Sequence, residues 1–99
     1  HAHVVAAKAG LSGMTRALAI ELGQKKITVN MVSPGLVEAP GDDPKRTAER
    51  RAHYQMDQIA LGRPASPDDI ANAVVTVAGD SLAYLKGQTI HMNGGFFMA

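Results

Sequence analysis

Residues 27–35, which carry a clear strand signal followed by a turn signal, read Ile27-Thr28-Val29-Asn30-Met31-Val32-Ser33-Pro34-Gly35. The first six residues are largely apolar and partly β-branched, which predicts a short strand over residues 27–32. Pro34 and Gly35 predict the turn that ends this strand. A short apolar strand that follows a long helix is typical of a parallel sheet covered on both faces.

The residues before this strand predict a long helix. Between residues 4 and 22, six side chains recur at spacings of three and four and so share one helix face: Val4, Lys8, Leu11, Thr15, Leu18 and Leu22. Lys8 is the charged member of that stripe. Gly23 predicts the C-cap of the helix. Small residues beside the stripe would let a second backbone approach closely: Ala6, Ala9, Gly10 and Gly13.

The residues after the strand predict two more helices. Asp43 followed by Pro44 is a helix start with Pro in the first turn. The helix that it opens, over residues 45–59, carries so many charges that it suits a surface lid better than a core element. A second start follows at residue 66, because the sequence there has the pattern of a capping box: Ser66-Pro67-Asp68-Asp69.

This last helix has a predicted buried stripe of Ile70, Val74 and Val77 and ends near Gly79. A second strand is predicted over residues 88–92, and Asn93-Gly94-Gly95 ends it in a turn. The predicted order is helix, strand, lid helix, helix, strand. We therefore predict an α/β fold in which a right-handed crossover joins two parallel strands.

Composition excludes several classes of protein. Hydrophobic residues make up 45% of the 99 residues and charged residues 19%, which indicates one globular unit and not a disordered tail. A net charge of +1 gives no basic surface for nucleic acid. No apolar run approaches the roughly 18 residues of a membrane span. Cysteine is absent, which fits a cytoplasmic protein, and we predict no metal site.

Several blocks, in their order and spacing, resemble the short-chain dehydrogenase/reductase family, and its 3-ketoacyl-acyl-carrier-protein reductase-type members most. They are Ala7-Lys8-Ala9-Gly10-Leu11, Ile27-Thr28-Val29-Asn30 with Ser33-Pro34-Gly35, Leu61-Gly62-Arg63-Pro64, Asp69-Ile70-Ala71, and Gly87-Gln88-Thr89-Ile90-His91 with Asn93-Gly94-Gly95. The resemblance implies that residues 1–99 are the C-terminal part of one doubly wound, Rossmann-like domain. We expect the N-terminal dinucleotide-binding half to be absent, because no glycine-rich turn opens a helix here and the chain begins without Met.

The resemblance also implies roles for residues of the first helix. In this family a Tyr and a Lys four residues apart work together, the Tyr as proton donor or acceptor and the Lys on the nicotinamide ribose. Lys8 matches that Lys, whereas Val4 stands where the Tyr is expected. Val4 carries no proton to give, so we predict that this chain alone is inactive. His3, Tyr54 and Tyr84 are weak candidates for a substitute acid.

A second set of cofactor contacts is implied after the first strand. Pro34, Gly35 and Val37 match the turn that meets the nicotinamide carboxamide in this family, and Ala39 stands where a Thr is common. The implied cofactor is NAD or NADP, and we do not expect it to bind well to this chain alone. The implied substrate is a small-molecule carbonyl or alcohol, with an acyl carrier protein as a candidate partner.

Two functional hypotheses follow. In the first, the chain is part of an NAD(P)-dependent oxidoreductase that acts on a carbonyl or alcohol carbon in its complete form. In the second, it is a truncated or degenerate, non-catalytic module that self-associates as a dimer or tetramer. The small residues of the first helix and the exposed strand edge at residues 27–32 favour this alternative. Neither hypothesis involves nucleic acid or a membrane.

Overall fold

A computed structural model describes residues 1–97 and gives three helices and two strands. Helix α1 spans Ala2–Gly23, strand β1 Met31–Pro34, helix α2 Pro44–Tyr54, helix α3 Pro67–Ala78 and strand β2 Thr89–Met92. Short 3-10 turns follow α2 at Met56–Gln58 and α3 at Asp80–Leu82. The predicted α/β class and order of elements are confirmed.

The two strands pair in parallel, as predicted. The N–H of Met31 donates to the carbonyl of Gln88, and the N–H of Gly35 donates to the carbonyl of Met92, so both partners advance in the same direction. The first strand lies later in the chain than the predicted span of 27–32. The predicted strand therefore begins four residues too early and ends two residues too early. Pro34 is the last residue of the strand and not part of the turn.

The residues fall into two compact units, each with a small core. The first unit contains His1–Met31 and Val75–Ile90, and the second contains Val32–Val74 and the described residues from His91 onward. The buried side chains of the described chain are Ala19 and Thr15 in the first unit and Leu36 and Ile59 in the second. The Thr15 hydroxyl is satisfied because it donates to the carbonyl of Leu11 at 2.7 Å.

In the first unit, Asn30 joins the start of β1 to the segment before β2. Its side-chain amide donates to the carbonyl of Leu85 at 2.9 Å, and its side-chain oxygen accepts from the N–H of Gln88 at 3.1 Å. One side chain therefore satisfies two main-chain groups that are more than fifty residues away in the sequence. This contact places the strand pairing just after Asn30.

Helix α1 ends differently from the prediction. Gly23 is still helical, and the left-handed residue that ends the helix is Lys26, with φ 61°. The N–H of Lys26 donates to the carbonyl of Gly23, and the N–H of Ile27 donates to the carbonyl of Leu22. These two bonds make a Schellman motif with Lys26 in the position that glycine usually occupies.

The predicted starts of α2 and α3 are confirmed. The carboxylate of Asp43 accepts from the N–H of Lys45 at 3.2 Å, with Pro44 in the first turn. Ser66 and Asp69 form a reciprocal capping box, in which each side chain accepts from the other residue's N–H. The predicted buried stripe of α3 is wrong: Val74 is 49% exposed, and Ile70 and Val77 are only half-buried.

Candidate functional site

Lys8 lies in the first unit, on the amino-terminal half of α1. The helix places it one turn after Val4 on the same face, and both side chains are exposed. The Lys8 ammonium forms no ion pair with any other residue that the structure describes. It is therefore available to a ligand that approaches this face of α1.

No proton donor takes the place of the expected Tyr on this face. Val4 is an apolar side chain that is 39% exposed. His3 is exposed but lies one position away, about 100° around the helix. Tyr54 ends α2 in the second unit, and Tyr84 is 99% exposed in the turn after the second 3-10 helix. The structure thus offers Lys8 without a neighbouring acid in its own helix turn.

Pro34, Gly35 and Val37 lie in the second unit and form the chain that leaves β1. Gly35 is held against the end of β2 by its N–H, which donates to the carbonyl of Met92 at 3.2 Å. A methyl group on Gly35 would lie 2.8 Å from the Cβ of Asn93, which is closer than two carbon atoms can approach. Only glycine therefore allows the chain to turn at this point without displacing Asn93.

Val37 sits in an isolated parallel bridge with Ala65. The N–H of Ala65 donates to the carbonyl of Leu36, and the N–H of Glu38 donates to the carbonyl of Ala65, both at 2.9 Å. In such a bridge the N–H and C=O of Val37 itself point to the opposite side. Neither group has a main-chain partner within residues 1–97. One free donor beside one free acceptor is the pattern that a primary carboxamide can satisfy.

Ala39 begins a tight loop that leads to the lid helix. Its N–H donates to a carboxylate oxygen of Asp42 at 2.9 Å, and the N–H of Asp42 donates back to the carbonyl of Ala39. The bond from Ala39 holds the pKa of the Asp42 carboxyl below its usual range. Ala39 offers only a methyl group, so this loop supplies no hydroxyl at the position where the family commonly has Thr.

Helix α2 is charged and has no buried residue, which agrees with a surface lid. Two arginines on it bind carboxylates of the preceding loop. Arg51 donates through two nitrogens to both oxygens of Glu38, at 2.5 and 2.7 Å, and Arg50 donates to Asp42 at 3.1 Å. The Arg51 bond holds the pKa of the Glu38 carboxyl below its usual range. Glu38 was not predicted from the sequence, because it lies 13 residues before its arginine partner and forms no local motif with it.

A cleft of about 270 Å³ opens elsewhere in the second unit. It is lined by Leu61, Arg63, Ala65, Asp69, Ile70, His91, Met92, Asn93, Gly94 and Gly95. The turn over Asn93 to Gly95 forms one wall, where the carbonyl of Gly94 accepts from the N–H of Leu61 at 2.8 Å. Arg63 is paired with Asp69 at 3.0 Å. The sequence predicted the Asn93 turn only as the end of a strand, and this cleft was not predicted.

No group of three histidine, aspartate or glutamate side chains within residues 1–97 lies close enough to hold a metal ion. No helix of the described chain combines the length and the apolar character needed to cross a membrane.

Comparison with known proteins identifies the relatives of this chain. A family model described as enoyl-(acyl carrier protein) reductase matches residues 1–97. The 3-oxoacyl-[acyl-carrier-protein] reductase FabG of Rickettsia felis is 44% identical over 97 residues, which are 98% of this chain and 39% of that protein. The enzyme of the same name from Pseudomonas aeruginosa is 44% identical over 94 residues, 95% of this chain and 37% of that protein.

Solved structures agree with these relatives. A short-chain dehydrogenase from Bacillus anthracis superposes with a TM-score of 0.75 at 34% identity, covering 95% of this chain and 34% of that one. A short-chain dehydrogenase/reductase of the glucose/ribitol dehydrogenase type from Brucella melitensis superposes with a TM-score of 0.82 at 36% identity. The superposition covers 100% of this chain and 37% of that one. The chain spans less than two fifths of the length of these relatives and corresponds to the carboxyl-terminal portion of their Rossmann fold. It belongs to the short-chain dehydrogenase/reductase family.

Proposed function

We propose that this chain forms the nicotinamide-facing part of a cytoplasmic NAD(P)-dependent oxidoreductase that acts on a carbonyl or alcohol carbon. By similarity to the 3-oxoacyl-[acyl-carrier-protein] reductases, its substrate class is a 3-oxoacyl group presented by a carrier protein, or a smaller ketone. Lys8 holds the ribose, and the turn from Pro34 to Val37 lies beside the carboxamide. A bound nicotinamide would supply or accept the hydride.

The observation that carries this proposal is the free main chain of Val37. Its N–H and C=O point away from Ala65, and a carboxamide presents the complementary acceptor and donor. Gly35 supports the fit, because the close approach to Asn93 fixes the path of the chain into Val37. Neutral main-chain groups recognise the carboxamide without regard to the phosphate that distinguishes NADP from NAD, so this turn would accept either cofactor.

Val4 sets the chemistry apart from that of a complete family member. Hydride addition to a carbonyl carbon leaves charge on the oxygen, which must take up a proton. Val4 cannot supply one, and in this proposal the Lys8 ammonium on the same face is engaged with the ribose. We therefore infer that a protein with this segment binds the cofactor but reduces ketones at least about 10²-fold more slowly than its relatives.

Cofactor binding is tested in a graft. Residues 1–97 replace the matching segment of the Pseudomonas aeruginosa FabG, and NADPH and NADH are titrated by nicotinamide fluorescence. We expect saturable binding, with Lys8→Met weakening it about 10-fold or more, because a charge-assisted hydrogen bond is lost. Lys25→Met removes the same charge from the far end of α1 and should leave binding unchanged. A folded graft that binds neither nucleotide would contradict the proposal.

A second candidate function is self-association, and the surface of α1 favours it. Five large apolar side chains of this helix are exposed: Val4, Val5, Leu11, Met14 and Ile20. Exposed apolar surface of this kind is typical of a protein interface. We expect sedimentation of the 99-residue chain to show concentration-dependent dimers or tetramers, which Ile20→Asp would shift towards monomer. A monomer at every concentration would exclude this function.

A further inference from the structure

Two ion pairs hold the lid helix of the second unit against the loop before it. No residue of α2 is buried, and its half-buried Tyr54 packs edge-on against Phe96. Besides the Asp43 cap, the side chains that reach back to the preceding loop are Arg50 and Arg51, which bind Asp42 and Glu38 respectively. The two carboxylates stand at either end of the short loop over residues 38–42, so each arginine takes one end of it.

Other bonds restrict the residues that carry both carboxylates. The N–H of Glu38 is bound to the carbonyl of Ala65, directly after Val37 in the bridge, and the Glu38 side chain is only 15% exposed. The Asp42 carboxylate accepts from the N–H of Ala39 as well as from Arg50. Arg50 therefore binds a carboxylate that is already in place, and Arg51 binds a side chain whose backbone is held, which lowers the entropy lost when each pair forms.

From this arrangement we propose that the pairs Glu38–Arg51 and Asp42–Arg50 form an electrostatic latch that holds α2 against the loop following Val37. Arg50 and Arg51 are then positioning residues of the lid, and their charges are engaged within the chain instead of meeting an acidic substrate. The role assigned to the lid rests on the proposed function, whereas the latch itself is a property of the second unit.

The latch should be recognisable by how strongly the local opening of α2 responds to salt and to the loss of single charges. An exposed ion pair contributes less than about 1 kcal/mol in general, but a bidentate Arg–carboxylate pair with a fixed partner is the exception. Because no residue of α2 is buried and Tyr54 is only half-buried against Phe96, apolar packing of the helix is too slight to mask the loss of a pair. Local opening of α2 should therefore respond to salt and to single charges, while the elements with buried residues do not.

Hydrogen exchange of the 99-residue chain tests this, read by mass spectrometry on peptides that cover α2. We expect Arg51→Gln to speed exchange in α2 about three- to tenfold and Arg50→Gln to do so less, because Arg51 makes two bonds. Raising the salt concentration from about 0.05 M to about 0.5 M should speed exchange in α2 of the wild-type chain. It should have little effect on exchange in the variant that carries both Arg50→Gln and Arg51→Gln. Exchange in α1 should stay the same throughout.

The matched control is Arg46→Gln. Arg46 lies on the same helix and forms no ion pair with a described residue, so the substitution removes the same charge without touching the latch. A charge swap, Glu38→Arg together with Arg51→Glu, should return exchange to within about twofold of the wild type. The proposal fails if Arg46→Gln and Arg51→Gln have equal effects, or if exchange in α2 is independent of salt. Neither result depends on cofactor binding, so the proposed function would be unaffected.

Discussion

Gly35 approaches Asn93 so closely that the two residues leave no room for a side chain between them. A methyl group on Gly35 would lie 2.8 Å from the Cβ of Asn93 and 3.0 Å from its Cα. The contact joins the end of β1 to the end of β2, at the carboxyl edge where parallel sheets place their ligands. The same glycine that ends the strand thus fixes the path of the chain towards Val37.

We expect Gly35→Ala to destabilise the protein by about 1–3 kcal/mol, the usual cost of overpacking, because the Cβ and Cα of Asn93 are in its way and can move only with their backbone. Urea unfolding followed by circular dichroism measures the change. Gly10→Ala is the control, since an added methyl there meets nothing within 4 Å and α1 gains helix propensity. If Gly35→Ala unfolds at the wild-type midpoint, the approach to Asn93 is looser than the structure indicates.

Lys26 is a position at which a substitution should stabilise the protein, in contrast to Gly35. It occupies the left-handed position of the Schellman motif at φ 61°, where glycine avoids the clash of a Cβ. We expect Lys26→Gly to raise the free energy of unfolding by up to about 1 kcal/mol. The same substitution at Lys25, which has no positive φ, should lower it. If Lys26→Gly lowers the free energy of unfolding, the Lys26 side chain makes a contact that stabilises the protein by more than its positive φ destabilises it.

The features that the sequence predicted correctly are those fixed by neighbours in the chain. The starts of α2 and α3 depend on side-chain bonds that span two or three residues, Asp43 to Lys45 and Ser66 to Asp69. Their signals are complete within the local sequence. The order of elements followed from such local start and stop signals, and the parallel pairing was inferred from that order.

The features that sequence reasoning missed depend on distant partners. The first strand begins after Asn30 because its pairing is set by Gln88 and Leu85, far along the chain. Val74 is exposed because burial depends on what packs against a helix, which a hydrophobic period does not reveal. The free main-chain groups of Val37 arise from its bridge with Ala65, which lies beyond the lid helix. No local motif marks that bridge.

The capping box of α3 should make the free energy of unfolding depend on pH in the acid range. The pKa of the Asp69 carboxyl is lowered from its usual 3.8, first by the N–H of Ser66 and then by Arg63. A lowered pKa in the folded state adds stability above the unfolded-state value, and this stability is lost as pH falls through the folded-state value. We expect Asp69→Asn to lower the urea midpoint at pH 7 and to have no such effect at about pH 2. Asp68→Asn is the control, and equal effects of the two variants at pH 7 would exclude the capping box as the cause.

Val4→Tyr tests whether the missing acid explains low activity. In the graft onto the Pseudomonas aeruginosa relative, the new phenol stands one helical turn before Lys8, which is exposed and has no ion pair within residues 1–97. The ammonium charge should lower the pKa of that phenol, and a donor at this position should raise the rate of NADPH-dependent ketone reduction by about 10²- to 10⁴-fold.

Two controls separate proton donation from a change in packing. Val4→Phe adds the ring without the hydroxyl and should stay at the basal rate. Combining Val4→Tyr with Lys8→Met should lose most of the gain, because the two side chains act as a unit and their effects are not additive. A rate that remains basal in Val4→Tyr, with nicotinamide binding intact, would show that a second departure limits turnover. The next position to change would then be Ala39, which has a methyl group where this family commonly has the hydroxyl of Thr.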